Sequence, residues 1–398
     1  MPLDLVSTLS QLVATPSVNP MGRAISGPEF FEYKVTAWLQ DFFARLQIPF
    51  QRHTVAPLRD NIIARFDGDP APEAGGRIIL FEAHQDTVPV DGMTIDPWRP
   101  VVRDGRLYGR GSCDIKGGMT AMLGALVRLI EERPPQRPTL IMACTVNEEH
   151  GYSGATALAR LWTESDANSI IPRPPDAAVV AEPTNLDVVV AHKGAVRWRC
   201  HTHGRAAHSS QPQLGDNAIY KMARVVAALE SYARDMPAAS APHPLCGRAS
   251  LSVGVISGGV SVNTVPDRAT IEIDRRMIPG EDSDTVYQQV VDYVTRRTEL
   301  GAAVEHERPF LEGRALSDGP NAEVAKQLVA AARSVRASAA EIGVSFGTDA
   351  ATIAHAGVPS VVFGPGSIAQ AHTADEWLAL EELEQASEAL YRFVVAGS

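Results

Sequence analysis

Cysteine is scarce: Cys113, Cys144, Cys200 and Cys246 are the only four in 398 residues, and no two form a CxxC pair. That argues against a disulfide framework and for a reducing compartment, with the thiols acting as small buried hydrophobes. Long apolar runs are also missing. None approaches the roughly 18 residues needed to span a bilayer. The start, MPLDLVSTLS, has neither the basic lead nor the apolar core of a signal peptide, so a soluble, cytoplasmic protein without membrane partners is expected. Concentrated positive charge is a third absence. Against 47 Asp and Glu there are 36 Lys and Arg, a net charge of -11, and the basic residues form no long cluster, which argues against nucleic acid as a partner. No internal repeat, heptad array or low-complexity tract is present, and the proline-rich patches at 133–138 and 172–175 read as loops.

What is present is an ordinary globular composition, 45% hydrophobic and 21% charged, in a chain long enough for two domains. Helical spacing of apolar residues predicts helices over 3–13 and 30–46. Short Ile-, Leu- and Phe-rich runs bounded by Gly and Pro then predict buried strands at 61–66 and 77–83. Helices and strands alternate from there: a helix at 116–132, a strand at 139–146, a helix at 154–162 and a strand at 177–181. Such alternation predicts an α/β sheet covered by helices. After 190 the pattern becomes β-α-β-β-α, with strands at 195–202, 251–256 and 269–274 and helices at 217–232 and 284–297. That stretch reads as a small α+β sandwich inserted into the larger domain. The buried-strand pattern returns from about 304, most clearly at 358–363. The expected organisation is a discontinuous domain, 1–190 and 305–398, with an insert at 191–304.

Candidate chemistry lies where the predicted strands end. His84 and Asp86 follow RIILFEA; two residues apart on a strand, they share a face and point toward the crevice where open α/β sheets place ligands. A neutral imidazole suits zinc, and an adjacent carboxylate can accept its other N–H. Asp114 sits in the glycine-rich turn GRGSCDIKGG ahead of a helix, where it could bridge two cations. A phosphate loop is the competing reading, but the spacing matches neither GxGxxG nor GxxxxGK followed by Ser or Thr, and the Asp would repel phosphate. Glu148 and Glu149 follow TLIMACTV, so that one carboxylate can ligate a metal while the other takes a proton from an activated water. Glu182 ends the strand in VVAEPT, and His372 lies in GPGSIAQAHTADEW. Each position is ordinary alone. Together, with Asp114 bridging, they supply three ligands to each of two ions: His84, Asp114 and Glu182 to one, and Asp114, Glu149 and His372 to the other.

The ordered motifs HQDTVP, GRGSCDIKGG, NEEHGYSG, AEPT, GRAAHSS, SVNTVPD, DRRMIPGE, FGTDA and GPGSIAQAHTADE resemble those of a co-catalytic zinc family. It includes acetylornithine deacetylase, succinyl-diaminopimelate desuccinylase, aminoacylase-1 and the glutamate-releasing carboxypeptidases. The resemblance runs over nearly the whole chain. It implies a zinc-exopeptidase-like fold with a mixed central sheet, and an insert acting as lid and homodimerisation domain. It implies two zinc ions per subunit, replaceable by cobalt or manganese, on His84, Asp114, Glu149, Glu182 and His372. Asp86 would orient the His84 ring and Glu148 would be the general acid/base. His208 in GRAAHSS matches the histidine that reaches the partner subunit's site and stabilises the developing oxyanion. Arg276 in DRRMIPGE matches the arginine that grips a substrate carboxylate, and Arg275 falls on the opposite face of its strand. Asn263 in SVNTVP would be a polar contact to substrate. Residues 347–349 and 364–366 would form loops around the cleft, by turn chemistry or direct binding alike.

The pattern also departs from parts of that family. Subgroups that cleave carbamoyl groups or tripeptides replace the glutamate ligand by His or Asp, whereas Glu182 is kept here. That favours a hydrolase of N-acyl amino acids, with a dipeptidase or glutamate-type carboxypeptidase as the neighbouring alternative. A binding protein that merely retains the fold is disfavoured by the presence of Glu148, and a nucleotide-dependent oxidoreductase by the missing dinucleotide fingerprint. The sequence Cys200-His201-Thr202-His203 carries no expected metal role, since neighbours on a strand point to opposite faces. His150 is at most a supporting contact, and His53, His192, His243, His306 and His355 are read as structural or solvated.

Overall fold

A computed structural model describes residues 2–164, 169–239 and 241–396. The chain forms two compact units: Met1–Val190 with Ser317–Gly343 and Thr348–Ser398, and Ala191–Leu316 with Val344–Gly347.

The first unit is built on an eight-stranded sheet. Its strands lie in the order Phe50–Ala56, Arg59–Phe66, Thr139–Thr145, Ile78–His84, Ala177–Val180, Ser360–Val362, Val188–His192 and Glu341–Val344. The sheet is mixed. Its central four strands, from Thr139–Thr145 to Ser360–Val362, run parallel, while Arg59–Phe66 and Val188–His192 join them antiparallel on either side. The central strands are short, largely apolar and buried throughout because helices flank the sheet and leave no side for water. Helices Lys116–Glu132 and Leu380–Ala396 pack together with Leu5–Val13 and Ala322–Arg333 beside them, while Ser153–Thr163 and Ala350–His355 form a second group. Leu5–Val13 begins where the Asp4 carboxylate accepts the Ser7 N–H at 2.9 Å, relieving one of the N–H groups that a helix start leaves unpaired. The strand Phe50–Ala56 was not expected from the sequence. It is the sheet's edge and half-solvated, so FQRHTVA never reads as a buried run.

The second unit is an antiparallel sheet in the order Ser250–Gly258, Arg268–Met277, Gly194–His203 and Val304–His306, with Leu311–Gly313 also pairing Gly194–His203. Period-two alternation sorts its faces. Val196, Trp198, Cys200, Ile271 and Ile273 pack against Met222, Val225 and Leu229 of helix Ala218–Ala239 and Val286, Val290 and Val294 of helix Ser283–Thr298. Trp198 meets Tyr287 edge to face at 5.4 Å. On the other face Arg197 pairs with Asp274 at 2.7 Å and Arg199 with Glu272 at 3.0 Å. The return to the first unit, expected at 305, falls at 317 instead, because the strands Val304–His306 and Leu311–Gly313 both bond to Gly194–His203.

His306 shows how this core fixes a titrating group. The Trp198 indole N–H donates to its Nδ1 at 3.0 Å, and burial, with His201 nearby, pushes its pKa down from 6.5 to about 4. The unfolded chain therefore takes up a proton near the ordinary histidine value that the folded chain refuses. His306 costs nothing above about pH 7.5 and destabilises progressively as pH falls toward 4, by up to ~1.4 kcal/mol per unit. Denaturant midpoints measured from about pH 7.5 to about pH 4.5 should fall less steeply in His306→Gln than in the parent; parallel curves would exclude this histidine as the source.

Candidate metal centre

Because the four central strands are parallel, their C-terminal ends open on one edge of the sheet, and the loops leaving them carry the candidate residues. His84 is the last residue of its strand. Glu148 and Glu149 stand three and four residues beyond Thr145, Glu182 two beyond Val180, and His372 in the long loop after Val362. Asp114 comes from the turn before Lys116–Glu132, where the Asp114–Ile115 peptide bond is cis.

The side chains converge in two triads. Donor atoms of His84, Asp114 and Glu182 lie within 4.8 Å of one another, as do those of Asp114, Glu149 and His372. Asp114 presents one oxygen to each side. Its Oδ1 is 3.2 Å from His84 Nε2 and its Oδ2 is 3.3 Å from His372 Nε2, which is also 3.3 Å from Glu149 Oε2. His84, Asp114 and Glu182 are buried, while the His372 side chain is 49% exposed, so the cluster is reachable from one side. No other group of three such donors at ligand spacing occurs among the described residues. Cys200 and His201 do point to opposite faces, His201 being held by Thr270 at 2.8 Å and Glu307 at 2.7 Å.

The electrostatics call for added positive charge. Burial, and then the neighbouring Glu182, push the Glu148 carboxyl well above its usual range; burial and Asp114 do the same to Glu182 and raise Glu149. Burial works against both imidazoles as cations, yet the carboxylates outweigh it. Asp114 leads in raising His84 well above its ordinary value, and Asp114 with Glu149 push His372 up to about 10. Burial likewise opposes charge on Asp114, but His372 and His84 hold its carboxyl well below the usual range. Glu149 Oε1 is buried with no hydrogen-bond partner, a cost that a cation would remove. One imidazole and two carboxylates per triad, with a shared aspartate, fit a pair of divalent cations.

Asp86 stands differently from the expected ring clamp. His84 Nδ1 lies 2.9 Å from the Asp86 main-chain oxygen but 3.7 Å from its carboxylate. The carboxylate instead accepts the backbone N–H of Glu148 at 3.1 Å and of Glu149 at 3.2 Å, with the Asn19 amide at 2.8 Å. It thus caps the short helix Glu148–Gly151, whose first N–H groups have no partner of their own.

The sequence reading missed the residues around that cap. Glu32, buried, accepts from Arg59 at 2.8 Å and from the Asn147 N–H at 3.2 Å; Arg59 and Asn19 each donate to the Asn147 carboxamide oxygen at 3.0 Å. These bonds hold Asn147 at φ 63, just ahead of the two glutamates. Burial, then Asp86, pushes the Glu32 pKa up to about 8. Glu376 was missed as well. Its carboxylate, fully buried, takes the N–H groups of Gly111, Cys113 and Asp114 and the Arg110 guanidinium. The available signals were faint: an Asn in SVNP, and a Glu four residues past His372.

The two expected cleft loops behave as structure. Gly364 lies so close to Glu182 that a Cβ there would come within 2.6 Å of the Glu182 carbonyl oxygen, so glycine lets the two strand ends meet. Thr348 and Asp349 are buried, and Thr145 donates to Asp349 Oδ2 at 3.2 Å.

In the second unit, Ala207–His208 pairs with Thr264–Val265, and Ser209 N–H donates to the Asn263 carbonyl at 3.0 Å, so His208 and Asn263 are neighbours. His208 Nδ1 lies 2.7 Å from the Ser210 hydroxyl and 3.2 Å from the Ser210 backbone nitrogen, so that ring nitrogen is engaged within its own loop. Arg276 lies on the sheet's charged face beside Asp274, 2.8 Å away. Arg275 is buried on the helix face, where Glu281 holds it at 2.6 Å.

Comparison with known proteins matches this architecture. An acetylornithine deacetylase of Myxococcus xanthus is 31% identical over 327 residues, 81% of this chain and 80% of the relative. A probable succinyl-diaminopimelate desuccinylase of Staphylococcus aureus is 28% identical over 381 residues, covering 87% and 88%. A tripeptidase from Staphylococcus aureus has the same fold, with a TM-score of 0.75 over 98% of this chain and 96% of its own at 22% identity. So does a dinuclear metal-binding peptidase from Bacillus subtilis, with a TM-score of 0.67 over 99% and 97% at 18% identity. Residues 80–396 match the peptidase family M20/M25/M40, and the chain therefore belongs to that family of metal-dependent amide hydrolases.

Proposed function

We propose that this enzyme removes the acyl group from an N-acyl amino acid, as the names of its acetylornithine deacetylase and succinyl-diaminopimelate desuccinylase relatives suggest. The observation that carries the reading is the pair of triads sharing Asp114, with Glu148 on the same short helix as Glu149. Two divalent cations on those triads would supply Lewis acidity to an attacking water and to the scissile carbonyl. The donor set suits zinc, with cobalt or manganese as substitutes. Glu148, whose backbone N–H is held by the Asp86 carboxylate, takes the proton of the attacking water and returns it to the leaving amine nitrogen.

Recognition is proposed to lie with the second unit. Arg276 offers a guanidinium fork to the substrate's carboxylate and Asn263 a polar contact beside it. His208, whose Nδ1 is engaged by Ser210, would present Nε2 to an oxyanion. This unit is also proposed to form a homodimer, across which His208 would act. Ser250–Gly258 is an edge strand, and Ile256, Val260 and Val262 are 63%, 89% and 100% exposed around it, an apolar surface that a second copy would cover. All four cysteines are buried thiols, which supports a cytoplasmic setting; no described helix is long and apolar enough to cross a membrane.

Hydrolysis of a panel of N-acetyl, N-succinyl and dipeptide substrates by zinc-loaded protein tests the substrate class; faster cleavage of dipeptides than of every N-acyl amino acid would replace the reading with a dipeptidase. Glu148→Gln should keep its metal and lose at least ~1,000-fold in kcat, within the range of general acid–base catalysis. An active, metal-loaded Glu148→Gln enzyme would remove Glu148 from its role. Asp86→Asn, unable to accept both N–H groups, should lose roughly 10- to 100-fold in kcat or metal affinity, read by kinetics and metal analysis together. His208→Ala should lower turnover without changing metal content, and mixing it with Glu148→Gln should restore activity if the histidine acts across the dimer. With subunit exchange verified, no recovery would place its action within one chain.

A further inference from the structure

The bridging aspartate is only as well placed as the turn that bears it, and that turn has no side-chain cap of its own: the helix Lys116–Glu132 begins without one. Gly111, Cys113 and Asp114 instead direct their N–H groups at a side chain more than 260 positions away, while the Ser112 N–H turns back to the Gly109 carbonyl at 3.1 Å. Glu376 Oε1 accepts from Cys113 at 2.9 Å and from Asp114 itself at 3.0 Å, while Oε2 accepts from Gly111 at 3.0 Å and from the Arg110 guanidinium at 2.7 Å. Both carboxylate oxygens are therefore fully engaged, three times by backbone, in a place where the side chain has no exposure. The main chain adds to the link. Gly109 N–H donates to the Glu376 carbonyl at 3.0 Å, and Trp377–Ala379 runs on as a ladder against Arg106–Tyr108.

Four residues before Glu376 stands His372. One carboxylate thus fastens the loop bearing His372 to the loop bearing Asp114, two donors of the same triad, whose third member Glu149 comes from a different strand end. A chain can bring residues 114 and 372 near each other by folding alone. Holding Oδ2 of one at 3.3 Å from Nε2 of the other requires that their backbones not drift, and His372 is the most exposed donor of the five.

Resting on the reading of Asp114 and His372 as cation ligands, we propose that Glu376 is a positioning residue that preforms the Asp114–Glu149–His372 triad, setting its cation affinity without touching cation or substrate. A glutamine at this position keeps the shape but brings an NH₂ donor against donors already present, Arg110 and the backbone N–H groups. The loop would then have to be ordered by the cation itself, and affinity would fall by that cost.

The test is chelator-competition titration of metal-free parent, Glu376→Gln, Glu376→Asp and Asp375→Asn with zinc and with cobalt(II), the latter followed by its visible absorption. Asp375 is the exposed neighbour and controls for the lost charge. Glu376→Gln should bind its weaker cation roughly 10- to 100-fold less tightly, in the range seen when groups behind metal ligands are removed. Its kcat should return to within about threefold of the parent at saturating cation, and Asp375→Asn should match the parent throughout. Should Glu376→Gln fail to fold, Glu376→Asp keeps the charge, withdraws the acceptor by one methylene, and should show a smaller loss of the same kind. A folded variant with lower thermal stability but unchanged affinity for both cations overturns the proposal and leaves the ligand assignment standing. A parent that binds no cation overturns both.

Discussion

Five negatively charged or imidazole side chains brought to one edge of a parallel sheet cannot rest there without compensation. Glu149 and Glu182, with Glu148 beside them, would each sooner be protonated than share a buried space as anions, while Asp114 stays ionised against its burial because the imidazoles of His84 and His372, drawn toward the charged form, face it. The fold accepts this tension because parallel strands end together, and every loop that leaves them must pass the same rim. A pair of divalent cations is the simplest relief the donor set admits. Hydrolytic capacity grows from that electrostatic debt, since the same carboxylates that need cations also hold a base next to them.

Support for the rim comes from buried polar groups bonded to backbone. Asp86 takes two N–H groups of the helix that carries Glu148 and Glu149, the Glu32–Arg59–Asn19 network sets the residue just before it, and Glu376 takes three from the turn of Asp114. In each case an acidic side chain holds main chain as well as a neighbouring side chain, Asn19 for Asp86, Arg59 for Glu32 and Arg110 for Glu376. Backbone N–H groups are fixed by the fold, so a carboxylate anchored on several of them transmits positional order to its neighbours.

The second unit follows a different logic. Its sheet buries one face under two helices and leaves the other lined with paired charges, so the unit is built around a core of its own. What it exposes is an edge strand and a small apolar tip, Val260 and Val262, close in sequence to Asn263.

Much of this was legible in the residues. The central strands and the long helices announced themselves through largely apolar runs and 3.6-residue spacing, His84, Glu149, Glu182 and His372 through their placement past strand ends, and Asp114 through its glycine-rich turn. The edge strand Phe50–Ala56 and the true end of the second unit did not, because edge strands are half-wet and Val304–His306 and Leu311–Gly313 are only three residues long. Local chemistry determines which residue types can bind a cation, move a proton or start a helix, and the sequence by itself settled that. Which carboxylate would grip whose backbone was decided only by tertiary structure: Asp86 serving Glu148 and Glu149 instead of His84's ring, and Glu376 serving Asp114 from the far end of the chain. An N–H donor carries no residue identity, so nothing in the letters at positions 111 to 114 records the partner that the fold brings to them.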